Sequence, residues 1–122
     1  MALKPETIDQ IKVFDWIRLH KQLRFCSFHI PNEGKRSVSM GALLKRMGMR
    51  AGVSDIFIAY PKNGKSGLFI ELKAKTSSGI YNKATATQLQ FIDDMLAMGY
   101  DAVVCNGADC AIDKIKNYLQ RT

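Results

Sequence analysis

Two apolar runs lying close together, Asp55-Ile-Phe-Ile-Ala-Tyr60 and Gly67-Leu-Phe-Ile-Glu-Leu-Lys-Ala74, constrain the fold more than any other feature of the chain. Between them stand only Pro61-Lys-Asn-Gly-Lys-Ser66, a stretch of turn formers, so the two runs are expected to pair as an antiparallel hairpin. Alternate residues of a strand share a face. Leu68, Ile70 and Leu72 therefore point one way, and Phe69, Glu71 and Lys73 the other. In the first run Ile56, Ile58 and Tyr60 form the apolar side. A slip of one residue would invert a strand, so matching the apolar faces fixes the parity and puts Asp55 on the side of Glu71 and Lys73. Directly opposed residues in such a ladder have Cβ atoms ~5 Å apart and diagonal ones ~7 Å.

That geometry gives the charges a reason to be there. Burying an unpaired ion is expensive, and two carboxylates this close repel until one protonates or a cation sits between them. A hard divalent ion takes oxygen ligands, and Mg²⁺ in particular keeps several waters while accepting one or two carboxylates and phosphate oxygens. Lys73 would then place an ammonium group beside the reacting water and phosphate. The blander alternative is an ion-paired, half-exposed sheet face with no chemistry.

Around the hairpin, periodicity supplies the scaffold. Thr7 with Gln10 has capping-box spacing, and Ile8, Ile11, Phe14 and Ile17 recur as on a helix, which predicts a helix over 8–20. Arg24 to Ile30 has the pattern of a strand ended by Pro31. A short helix over 39–47, with Leu43, Leu44 and Met47 inward, stops at Gly48. Thr85 with Gln88 is a second capping box, opening a helix to Met98 that Gly99 ends. Tyr100 to Cys105 is a strand reached by a right-handed crossover, hence parallel to the one before it. Asp109 is expected to cap a last helix carrying Ile112, Ile115, Tyr118 and Leu119. The expected fold is α/β, a mixed central sheet flanked by helices in the order α-β-α-β-β-α-β-α, filling 1–122 as a single domain.

Charge narrows the partner. The chain carries a net +7, and from Arg18 to Lys83 there are thirteen basic residues against three acids, Glu33, Asp55 and Glu71. A field of that sign attracts polyanions, as a phosphate backbone requires. Lys35, Arg36, Lys45, Arg46, Arg50 and Lys75 are the cations expected to meet the phosphates. Three cysteines without CxxC spacing exclude a disulfide framework or zinc knuckle. No apolar run reaches the ~18 residues of a membrane span, and the start lacks a signal-peptide core, so a cytoplasmic protein of a bacterial or phage-infected cell is expected rather than a secreted one. His20 and His29 show no partner in the sequence for a histidine-based site. Asn63-Gly64-Lys65-Ser66 lacks the first glycine of a phosphate loop and is expected to be a turn.

Taken in order, Gly52-Val-Ser-Asp55, the strand Gly67 to Ala74 with its Glu71-Leu72-Lys73, Gln88, and Gly99-Tyr100 resemble the VRR-NUC (viral-type replication and repair nuclease) domain of the PD-(D/E)xK superfamily. The similarity runs roughly from Phe28 to Leu119, and Asn32-Glu33-Gly34 resembles the upstream acidic position. It implies a restriction-endonuclease-like fold and a Mg²⁺-dependent endonuclease, with Mn²⁺ able to substitute, acting on DNA, with structured or branched DNA in replication and repair as the expected substrate. Asp55, Glu71 and Glu33 would be metal ligands with the Leu72 carbonyl, Lys73 would orient the attacking water, and Gln88 would reach the catalytic face. Where the family commonly has proline before the aspartate, this chain has Ser54, a departure that bears on loop rigidity rather than on a ligand. Stand-alone members imply a homodimer. A silent nucleic-acid-binding module and an RNA-processing nuclease on the same fold are the alternatives.

Overall fold

The computed structural model describes residues 2–31 and 37–120. Four strands form one mixed sheet: β1 (Ser27–His29), β2 (Ile56–Ile58), β3 (Leu68–Lys73) and β4 (Asp101–Asn106), in that spatial order. The described residues also form five helices: α1 (Pro5–Arg18), α2 (Lys21–Arg24), α3 (Val38–Arg46), α4 (Ala86–Ala97) and α5 (Gly107–Gln120).

The hairpin forms in the expected parity. β2 pairs antiparallel with β3, Ile56 opposite Ile70 and Ile58 opposite Leu68, while β3 and β4 run parallel. The turn closes at Asn63-Gly64, both with positive φ, between the bridged Lys62 and Lys65, so the Asn-Gly pair supplies the left-handed conformations that a tight turn needs. Each face of the sheet has its own chemistry. Ile56, Ile58, Leu68, Ile70 and Leu72 join Val13 and Ile17 of α1 and Ala111 and Ile115 of α5 in an aliphatic core. On the other face Phe57 and Phe69 stack at 4.4 Å, and Phe91 of α4 meets Phe69 edge-on at 5.1 Å. Glu71 and Lys73 continue the line of Phe69 along β3.

Several boundaries differ from the sequence expectation. α1 begins at Pro5 instead of residue 8, because proline is preorganised for the first helical position, and Thr7 and Gln10 lie inside the helix without forming a cap. Arg24 belongs to α2, which shortens β1 to three residues. Asp109 is a first-turn residue of α5 and not its cap, since β4 runs directly into a helix that opens at Gly107, φ +86°. α3 keeps its place, with the Ser37 hydroxyl accepting from Met40 N–H, but buries no residue; Leu43 and Met47, expected inward, are 48% and 73% exposed. By contrast the Thr85–Gln88 capping box of α4 is complete, with both reciprocal hydrogen bonds present.

Candidate active site

Asp55 and Glu71 come together where β2 starts and β3 ends. Both are buried, Glu71 to 2% exposure, although neither contributes to an apolar core. Asp55 Oδ2 accepts a 2.7 Å hydrogen bond from the backbone N–H of Leu72, which ties the loop before β2 to the centre of the Glu71-Leu72-Lys73 triplet. Lys73 Nζ lies 3.5 Å from Glu71 Oε2, whereas Glu71 Oε1 is buried with no hydrogen-bond partner among the described residues. Loss of water, and then the adjacent negative charge of Asp55, push the Glu71 carboxyl up to about 8; the Lys73 ammonium pulls the other way without prevailing.

A buried carboxylate oxygen with no donor is a costly arrangement unless something else satisfies it. Two hard oxygen donors pressed together, one half-orphaned, fit a divalent cation better than they fit a simple ion-paired face. Among the described residues no cluster of three Asp, Glu, His or Cys side chains forms a metal-type group, and Glu33, Lys35 and Arg36 lie outside the described residues.

A cavity of about 240 Å³ opens beside this pair, lined by Asp55, Leu72 and His29 together with Glu6, Thr7, Gln10 and Ile11 of α1. Five of these residues, Glu6, Thr7, Gln10, Ile11 and His29, were not anticipated as site residues. Glu6 and Gln10 stand four apart on one side of α1, and polar residues at that spacing beside an apolar stripe were the signal available. His29 Nδ1 lies 2.8 Å from the carbonyl oxygen of Asp55; a carbonyl only accepts, so Nδ1 donates in this contact. Gln10 Nε2 is buried without a hydrogen-bond partner among the described residues, as is the Ser54 hydroxyl next to Asp55.

The remaining expected residues fall in different places. Gln88 Oε1 accepts from Thr85 N–H in the capping box, and Gly52, near the Asp55 loop, abuts the backbone of Thr87 and Gln88. Arg50 is engaged by the fold itself, paired with Asp94 and set 5.2 Å over the Phe91 ring. Lys45 and Arg46 occupy the last turn of α3, and Lys75 Nζ stands 5.4 Å over the Tyr81 ring.

A model of the VRR-NUC domain matches residues 6–109, which includes most of α1 as well as the acid pair. The chain belongs to the VRR-NUC domain family. This is a nuclease-type family, and the match starts upstream of the Phe28 expected from the motifs alone. A solved structure described as a VRR_NUC domain protein is similar over 98% of this chain and 92% of its own, with a TM-score of 0.81 and 29% sequence identity. No curated protein matches the chain. The VRR-NUC assignment accounts for the mixed sheet and its flanking helices. Among the described residues no helix is long and apolar enough to cross a membrane.

Proposed function

We propose that this VRR-NUC chain is a divalent-cation-dependent nuclease hydrolysing phosphodiester bonds in DNA, with structured or branched DNA of replication and repair as the substrate class. The observation that carries the reading is Glu71 Oε1, buried beside a second carboxylate with no hydrogen-bond partner among the described residues. Asp55 and Glu71 would hold the ion, Mg²⁺ or Mn²⁺, with the Leu72 carbonyl as a further oxygen donor. When bound, such an ion polarises a phosphate oxygen and makes water a better nucleophile near neutral pH.

The chain's own groups have separable tasks. Asp55 fixes the backbone of β3 at Leu72 and so sets where Glu71 and Lys73 point. Lys73, only partly exposed, keeps a positive charge at the edge of the pair, where it offsets the negative charge that builds on the phosphoryl oxygens during in-line attack. The +7 net charge favours a polyanionic substrate from a distance.

The test is incubation of the full chain with a panel of linear duplex, flap, junction and single-stranded DNA and matching RNA, with Mg²⁺ or Mn²⁺. Cleavage that EDTA abolishes, and that Glu71→Gln and Lys73→Met lose while still binding, is the expected result. Intact substrates throughout would leave a nucleic-acid-binding module, and cleavage of RNA alone would overturn the DNA assignment.

A further inference from the structure

Immediately beyond the catalytic end of β3 the chain makes a second, smaller hairpin. Asn82 N–H and its side-chain amide both donate to Ala74 O, Thr76 N–H donates to Ile80 O at 2.8 Å, and Gly79, φ +83°, closes the tip against Thr76. At its base Tyr81 is clamped between Lys75 Nζ and Gly107, where even a Cβ atom would come within 2.9 Å of the tyrosine hydroxyl. So many fixed contacts make the hairpin a built projection. Its tip nevertheless presents Ile80, 67% exposed.

A single exposed apolar side chain means little by itself. Here two further observations bear on it. No Asp or Glu occurs between Glu71 and Asp93, while Lys73, Lys75 and Lys83 all do, so the segment that carries the isoleucine is itself cationic, and the acids nearest its base, Asp9 and Asp109, line the cavity beside Lys75 and Tyr81. Thr76, its cross-strand partner, is three residues past Lys73 on the same run of chain, or about 10 Å at ~3.3 Å per residue. That distance is roughly three stacked steps of a nucleic-acid strand, at 3.4 Å per step. A protein partner would be expected to offer this segment acids and an apolar groove; a phosphate backbone with base faces inside it offers both complements at once.

We propose that the 74–82 hairpin is a nucleic-acid wedge, in which Ile80 packs against an exposed base face or enters a base step while Lys75 and Lys83 hold the flanking phosphates. Apolar side chains used this way unstack a step and kink the duplex, which selects substrates whose steps already open easily, such as flaps and branch points. The inference rests on the nuclease reading for its substrate, and it assigns the preference for branched DNA to a segment outside the acid pair.

The experiment measures binding, separately from cutting. The probe is a short DNA flap duplex with 2-aminopurine placed within a few steps of the branch, titrated with the full chain in EDTA. Ile80→Ala and Ile80→Ser should melt with the parent protein, lose most of the fluorescence rise seen on binding, and bind the flap about tenfold more weakly. Leu19→Ala, a similarly exposed apolar residue at the end of α1, controls for a general loss of apolar surface. An undiminished rise in the Ile80 variants, or an equal loss in Leu19→Ala, overturns the wedge. Cleavage by the parent with Mn²⁺ is scored on the same probe. If it cuts and Ile80 has no effect, the wedge alone fails; if it binds with an Ile80-dependent rise but never cuts, the hydrolytic reading alone fails. Absence of binding removes both.

Discussion

Asp55 Oδ2 receives the Leu72 N–H at 2.7 Å, so the carboxylate that would hold a cation is also the group that positions the backbone between Glu71 and Lys73. Charge and hydrogen bonding can be separated by substitution. Asp55→Asn keeps an acceptor for Leu72 and should melt close to the parent, while Asp55→Ala leaves a buried N–H unpaired and should be less stable by about 1–3 kcal/mol. Both should lose cleavage by about a hundredfold or more, the scale of removing a group that acts on the transition state. Thermal melts beside a cleavage assay check this; equal melting of the two variants would mean that the hydrogen bond has no structural weight.

Glu71 predicts a pH dependence with a definite sign. Its carboxyl is raised from 4.5 to about 8, first by burial and then by Asp55. The folded, cation-free protein thus retains a proton that the unfolded chain releases, and the resulting stabilisation is full below pH 4.5 and lost as pH rises through about 8. Melting temperature without divalent ions should therefore fall across that window, and Glu71→Gln should remove this part of the fall. Because a cation must displace the same proton, Mn²⁺ should raise the melting temperature more at pH 8 than at pH 5. A parent and Glu71→Gln with superimposable pH profiles would refute the assignment.

Among the described residues, the Lys73 ammonium is the only group that opposes the rise at Glu71. Lys73→Met should consequently move the onset of Mn²⁺ stabilisation to higher pH, in addition to reducing cleavage. A spectator lysine would leave the onset where it is, so a Mn²⁺ titration of melting temperature at several pH values separates the two roles.

How much of this was legible depended on whether the deciding partner lay within the pattern. The placement of Asp55 with Glu71 followed from period-two alternation, because one apolar face of β2 and β3 must be buried and a slip would expose it. α4 was legible through its capping box, a local interaction. What failed was long-range. Helical spacing marked Leu43 and Met47 as apolar but not what they would face, and α3 leaves both exposed. Charge counting marked Arg50 as a cation but not that it pairs with Asp94, which lies 44 residues further on. His29 looked isolated because its partner is a backbone carbonyl, to which no residue type points.

Gly52 shows how tightly the loop before Asp55 is held. It has φ +86°, and a Cβ there would lie 2.5 Å from Thr87 O and 3.0 Å from Gln88 N, both backbone atoms at the start of α4. An alanine would be strained by its own backbone and would also push the loop away from the α4 capping box; the expected loss is about 1–3 kcal/mol or more. Gly41 supplies the contrast, since it lies inside α3 with nothing within 4 Å of its would-be Cβ. Gly41→Ala should stabilise by about 0.5–1 kcal/mol through helix propensity. Gly52→Ala should in addition reduce cleavage, because the same displacement moves Asp55, three residues on, from Leu72. Retained activity together with a lowered melting temperature would show that the loop and the acid pair move independently, which the Asp55–Leu72 hydrogen bond argues against.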